Sequence, residues 1–305
     1  MIVEHDQASG DVPLPWLLAR LTGIPWPAKR WIAERPQAWR YYTAVCRRAG
    51  WNGTLLGWHT PRNGPFAGIR MRALHPNHLW VPVGVYETRV GRVATALLSE
   101  LGRRPDGPGS IEVWDVGAHR GLFSMLCARH GADRVLAFEP SASNASALRE
   151  HLAANPSLAD RIEIVHAAMT DHDGEVEFVV NENDGAVCQI RANGVDGYDH
   201  GGAASVQVVP ASRLDSFRAG RSSAPSLVKI DVEGAEALVL RGAVRLLDID
   251  RPIVLMEVHN AAAGLASIEQ LIAAGYRCWR IDPGSHLAPL TGGLAFGHVL
   301  ARPER

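Results

Sequence analysis

Seven consecutive residues, Asp115-Val116-Gly117-Ala118-His119-Arg120-Gly121, have the composition of a bend that passes close to a ligand. A short apolar run ends at Asp115-Val116 and a helical pattern begins at Leu122. The spacing therefore predicts a strand-to-helix turn whose backbone N–H groups and positive helix terminus face a ligand above it. Gly117 allows a tight turn with close ligand approach, and Gly121 lets the helix pack on its strand. A dinucleotide turn would carry a further glycine between these two. His119 stands there instead, a residue type enriched at positive φ, which keeps the turn but crowds a pyrophosphate. The next apolar run ends in Phe138-Glu139-Pro140, about 20 residues on, where a carboxylate accepts charge-assisted bonds from both hydroxyls of a ribose. A plain structural turn is the competing reading; the acid at this spacing favours a ribose-bearing ligand.

These residues need a scaffold, and the pattern from Ile111 onward supplies one. Short apolar strands alternate with helical stretches, which predicts a doubly wound α/β fold with a mostly parallel sheet covered on both faces. Strands are expected at 111–116, 134–138, 162–167, 226–230 and 252–258, with helices at 122–130, 142–154, 235–247 and 267–274. An inserted hairpin is expected at 175–180 and 186–190, followed by a glycine-rich segment at 193–204. The last strands, 276–281 and 297–301, lack an intervening helix and should pair antiparallel at the sheet edge. Domain boundaries follow from composition. Residues 1–105 hold seven of the nine tryptophans and many prolines, and form a mainly helical N-terminal extension, with helices expected at 37–49 and 88–101. Residues 106–305 form the α/β domain. The segment from Trp80 to Glu87 could close as a lid, with Tyr86 and Glu87 as its contacts.

Bulk properties narrow the partners. With 305 residues, 47% hydrophobic, the chain buries a full core; 31 basic against 32 acidic residues give no nucleic-acid footprint and no polybasic membrane anchor. A small, roughly neutral partner fits better. Four scattered cysteines form no C-x-x-C pair and read as buried thiols, and the absence of a signal-like start or a run of ~18 apolar residues points to a cytoplasmic protein.

The chain resembles the FkbM-type family of S-adenosylmethionine-dependent methyltransferases. The resemblance is carried by Asp115 to Gly121, by Phe138-Glu139-Pro140, and by Lys229-Ile230-Asp231-Val232-Glu233-Gly234-Ala235-Glu236. Leu240-Arg241-Gly242-Ala243 and the strand ending in Glu257-Val258-His259 add to it, all in matching order. It covers about residues 111 to 281, and His119 departs from it where asparagine is more usual. It implies a Rossmann-like, seven-stranded sheet of the class I methyltransferase type with an antiparallel last strand. S-adenosyl-L-methionine is the implied cofactor, held by Asp115, Gly117, Ala118, Gly121, Glu139, Pro140 and Asp231. A hydroxyl oxygen of a sugar or secondary metabolite is the implied acceptor.

Methyl transfer is an in-line displacement at a carbon already activated by the sulfonium, so the protein mainly aligns acceptor oxygen, methyl and sulfur. A neutral hydroxyl must also lose its proton, and Asp231, Glu233, Glu257 and His259 gather at the expected strand ends. Of these, His259 has the ordinary pKa nearest neutrality and is the preferred base. Each has a plainer alternative. Glu233 and Glu236 would serve a helix dipole, Glu257 would pair with Lys229, and His259 would be a packed strand-end side chain. Asp231, Glu257 and His259 could also hold a divalent metal that acidifies the acceptor, a route ranked behind the metal-free one. Three rival functions use the same fold: a nicotinamide-dependent oxidoreductase, a non-catalytic S-adenosylmethionine-binding domain, and a nitrogen or carbon methyltransferase that keeps the pocket and changes the acceptor.

Overall fold

The computed structural model describes residues 57–61, 64–73, 88–103, 109–181, 188–190, 204–282, 285–290 and 292–304. The expected helix at 37–49 and the lid at 80–87 lie outside the described residues. Contacts divide the chain into units 1–91 and 92–305, with the division inside a helix rather than at residue 105. In the first unit, β1 (Gly57–His59) and β2 (Met71–Ala73) pair antiparallel.

The dividing helix is α1 (Thr88–Arg103), and the six apolar residues on its predicted face, from Val90 to Leu101, are all buried. Strand and helix then alternate: β3 (Glu112–Val116), α2 (Leu122–Arg129), β4 (Arg134–Phe138), α3 (Ala142–Ala153), α4 (Pro156–Ala159) and β5 (Ile162–Val165). After a second, smaller sheet come α5 (Leu214–Ala219), β10 (Leu227–Ile230), α6 (Glu236–Arg241), β11 (Ile253–Val258) and α7 (Ala261–Ala273). The chain closes with β12 (Tyr276–Ile281), β13 (Leu287–Pro289) and β14 (Gly297–Pro303).

The large sheet has the order β13-β12-β14-β11-β10-β3-β4-β5. Its five strands from β11 to β5 run parallel, and β14 inserts antiparallel between β11 and β12. The expected pairing of the last strands is therefore found, with β13 as an eighth strand at the edge. All residues of β3 and β10 are buried, Glu112, Asp115 and Lys229 included, as in a sheet covered on both faces. Trp114, Phe138 and Phe217 meet edge-to-face at 4.9–5.7 Å in the main core. The chain leaves β3 in one direction to β4 and β5, then returns to the other side of β3 with β10. This reversal opens a crevice at the carboxyl ends of β3 and β10, where such folds take their ligands.

The smaller sheet has the order β6-β9-β7-β8: β6 (Ala168–Met169), β7 (Gly174–Asn181), β8 (Cys188–Ile190) and β9 (Ala204–Ser212). The expected hairpin is β7 with β8, but the long partner of β7 is β9, which sequence reasoning missed.

Candidate active site

The glycine bend and the acid after β4 meet. Phe138 accepts from the amides of both Gly117 (3.1 Å) and Ala118 (2.9 Å), and the His119 amide donates to Glu139 Oε2 at 2.7 Å. The other oxygen of Glu139 accepts from the Ser141 amide (2.8 Å) and from Asn144 Nδ2 (3.5 Å). Pro140 lies buried between them and has no N–H to give, so Ser141, which also caps α3, is the first donor available. Glu139 thereby ties the bend to the next helix while only 4% exposed. Burial pushes its carboxyl up to about 7 against the pull of those donors.

The backbone fits the expected turn and changes its reasons. His119 adopts φ +52°, as its residue type suggested, with Gly117 at +80° and Gly121 at +79°. A Cβ on Gly117 would lie 1.8 Å from the Asp231 carbonyl oxygen, so this glycine serves the close approach of the β10 loop. A Cβ on Gly121 would lie 1.9 Å from Leu148 Cδ1, so that glycine packs α2 on α3 rather than on its strand. Nor does the bend aim a row of amides outward: those of Gly117, Ala118, His119 and Gly121 all end on protein oxygens. No pyrophosphate cradle forms from these four. Asp115, expected at the cofactor, has no exposed surface; it accepts from Ser124 Oγ at 2.6 Å and lies 3.6 Å from Lys229 Nζ. Burial raises its carboxyl pKa despite Lys229 and Ser124.

Lys229 links the bend to the acids beyond β10. Its Nζ stands 2.9 Å from Asp231 Oδ2 and donates to the Gly117 carbonyl at 3.5 Å. Glu257 does not pair with it, contrary to the plain alternative for that acid; His298 Nε2 meets Glu257 Oε2 at 3.0 Å instead. Around His259, Nδ1 faces Glu236 Oε1 at 2.7 Å, while Nε2 faces Asp231 Oδ1 and Glu233 Oε2, both at 3.5 Å, and Glu257 Oε1 at 4.0 Å. Glu236 opens α6 but spends Oε1 on the Gly234 amide and His259. Glu233 precedes the helix at φ +53°, so neither acid is simply a dipole partner.

These charges overturn the reason for choosing His259 as base. Burial opposes its charge, yet the bond to Glu236 and the carboxylates of Asp231 and Glu233 raise its pKa to about 10. That lies well above the range in which an imidazole accepts a proton near neutrality. Burial lifts Glu233 to about 7, whereas Asp231 is held below the ordinary range because Lys229 and His259 outweigh its burial. Asp231, Glu257 and His259 come together; Lys229 and Glu236 take partners other than the expected ones, and His298 is a partner that sequence reasoning left without a role. Only Lys229 and Glu236 lay in a noted motif.

Residues 115–278, over half the chain, match the family described as Methyltransferase FkbM domain. The chain belongs to the FkbM methyltransferase family. Its sheet order is consistent with the class I methyltransferase fold. It is similar to the hexuronic acid methyltransferase AglP of Haloferax volcanii, 26% identical over 147 residues, which cover 48% of this chain and 55% of the relative. The chain thus matches about half the length of that relative. Among solved structures it is similar to the methyltransferase FkbM of Methylobacillus flagellatus, at TM-score 0.43 and 18% identity over 63% of this chain and 43% of that one. Another is the O-methyltransferase of Bacillus cereus in complex with SAH, at TM-score 0.39 and 12% identity over 70% of this chain and 81% of that one. No helix among the described residues is long and apolar enough to cross a membrane.

Proposed function

We propose that this FkbM methyltransferase transfers the methyl group of S-adenosyl-L-methionine to a hydroxyl oxygen of a small acceptor, a sugar or secondary metabolite. The observation that carries the reading is the junction at the bend: Glu139 is bonded to the His119 amide at 2.7 Å, and the neighbouring Gly117 is pressed against the Asp231 backbone. A carboxylate suited to ribose hydroxyls and the acidic cluster thus lie on either side of the bend, which supports this reading. Glu139 receives the ribose hydroxyls. S-adenosyl-L-methionine, when bound, would supply the methyl group as an electrophile, and Asp231, Glu257 and His259, at the ends of β10 and β11, would face the acceptor. In the transfer, an oxygen lone pair forms the new bond to the methyl carbon and the S–CH3 bonding pair returns to sulfur. The products are the methyl ether, the neutral thioether and one proton, which passes to water. The name of the AglP relative supports a carbohydrate acceptor.

Thermal unfolding in S-adenosylhomocysteine and in NAD separates this reading from the nicotinamide one, since ligand at ~100 times its dissociation constant adds ~2.7 kcal/mol. A shift with S-adenosylhomocysteine alone is expected; a shift with NAD alone overturns it. Labelled methyl transfer to uronic acids and hexoses then distinguishes an enzyme from a binding domain.

A further inference from the structure

We infer that Asp231, Glu257 and His259 form a binding site for one divalent cation. One potential ligand atom from each lies within 4.8 Å of the others. What singles out these atoms is how the rest of each side chain is engaged. Asp231 gives Oδ2 to Lys229 at 2.9 Å and leaves Oδ1 facing His259 Nε2. Glu257 gives Oε2 to His298 at 3.0 Å and leaves Oε1 on the same side. His259 is turned by Glu236 on Nδ1, so that Nε2 faces both oxygens. Each group therefore has an outer partner that orients it and one atom directed to a common point, the arrangement that metal ligands and their supporting residues adopt.

A second observation is independent of this convergence. Glu236 is fully buried, aims Oε1 at His259, and has no hydrogen-bond partner on Oε2. A carboxylate with an unsatisfied oxygen in the interior is costly unless positive charge stands nearby. Four carboxylates, those of Asp231, Glu233, Glu236 and Glu257, surround the single charge of His259, and a dication balances more of them. Two carboxylate oxygens and one imidazole nitrogen suit manganese or a similar divalent transition ion better than calcium or magnesium, which take oxygen ligands. Asp231 and Glu257 keep 18% and 19% of their side-chain surface exposed, so a coordination face remains for another oxygen. That an acceptor hydroxyl takes this face, and loses its proton to water more readily there, rests on the transferase reading above; cation binding does not.

The test is a titration of chelator-stripped full chain with Mn2+, followed by electron paramagnetic resonance, alongside calorimetry with S-adenosylhomocysteine. One bound Mn2+ per chain is expected, weakened at least about tenfold in Glu257→Gln. In the wild type, substoichiometric Mn2+ should broaden the imidazole signals of His259 and His298 before those of the exposed His166 and His172, a readout that survives if the variant does not fold. Absence of bound Mn2+, equal binding by a folded Glu257→Gln, or uniform broadening of all four histidines overturns the cation site. If S-adenosylhomocysteine still binds, the transferase reading stands without it. If that ligand fails while Mn2+ binds, the transferase reading falls and the cation site stands.

Discussion

His259 and Glu139 are both buried groups whose charge is decided by their neighbours, and they do opposite things. Glu236 and the surrounding carboxylates hold a proton on His259, with its pKa near 10. Whether the residue then works as a cation ligand or as a base once deprotonated, His259→Ala should lower the single-turnover methyl-transfer rate ~10²–10⁴-fold. Affinity for S-adenosylhomocysteine should hold; a near-normal rate would remove His259 from the chemistry. Glu139 lacks a cationic partner, and its pKa rises from 4.5 to about 7. Below pH 4.5 both folded and unfolded states carry the proton. Between 4.5 and 7 the unfolded chain ionises first, so the folded state binds more protons and stability falls as pH rises, by about 3 kcal/mol in total. Urea denaturation across this range should show the stability of Glu139→Gln, relative to wild type, rising by that amount. A difference independent of pH would show that Glu139 titrates normally. Of these residues, Glu139 was legible because its spacing from the bend is a local rule. The roles of Glu236 and His298 were not, because their partners, His259 just after β11 and Glu257 within it, lie 23 and 41 residues away.

The elements were read best where apolar periodicity alone decides them. β4 and β12 have the predicted bounds, and α2 and α3 end one residue short of theirs. Departures arise where a contact distant in sequence or a cap decides. The helix expected over 235–247 stops at Arg241, with a π-helical turn at Leu246–Asp250, because Gly242 passes against the Thr170 backbone. The start of α7 was missed by six residues: Asn260 caps it by accepting from the Ala263 amide at 2.8 Å, ahead of any apolar repeat. Gly242 supplies a test of sign. Its φ of −80° suits any residue, and alanine in place of glycine at such a position normally stabilises by about 0.4–1 kcal/mol. Here the new Cβ would lie 2.0 Å from the Thr170 carbonyl oxygen, so Gly242→Ala should destabilise by about 2–4 kcal/mol. A stabilised variant in thermal denaturation would contradict the packing described for α6.

At the scale of the molecule, the winding of the sheet is what lets residues over a hundred positions apart share a crevice. β3 pairs with β4 on one side and β10 on the other, so the bend after β3 meets Glu139 laterally and Asp231 from the opposite flank. That winding was legible in the alternation of strands and helices; the pairing of β9 with β7 was not. The central claim is that Glu139 grips the ribose of the cofactor in this crevice. Calorimetric titration of S-adenosylhomocysteine into wild type and Glu139→Ala tests it most directly. The variant should bind about 1.5–3 kcal/mol more weakly, roughly ten- to hundredfold, the scale of hydrogen bonds lost to a charged group. An affinity within threefold of wild type would mean that the carboxylate only braces the turn.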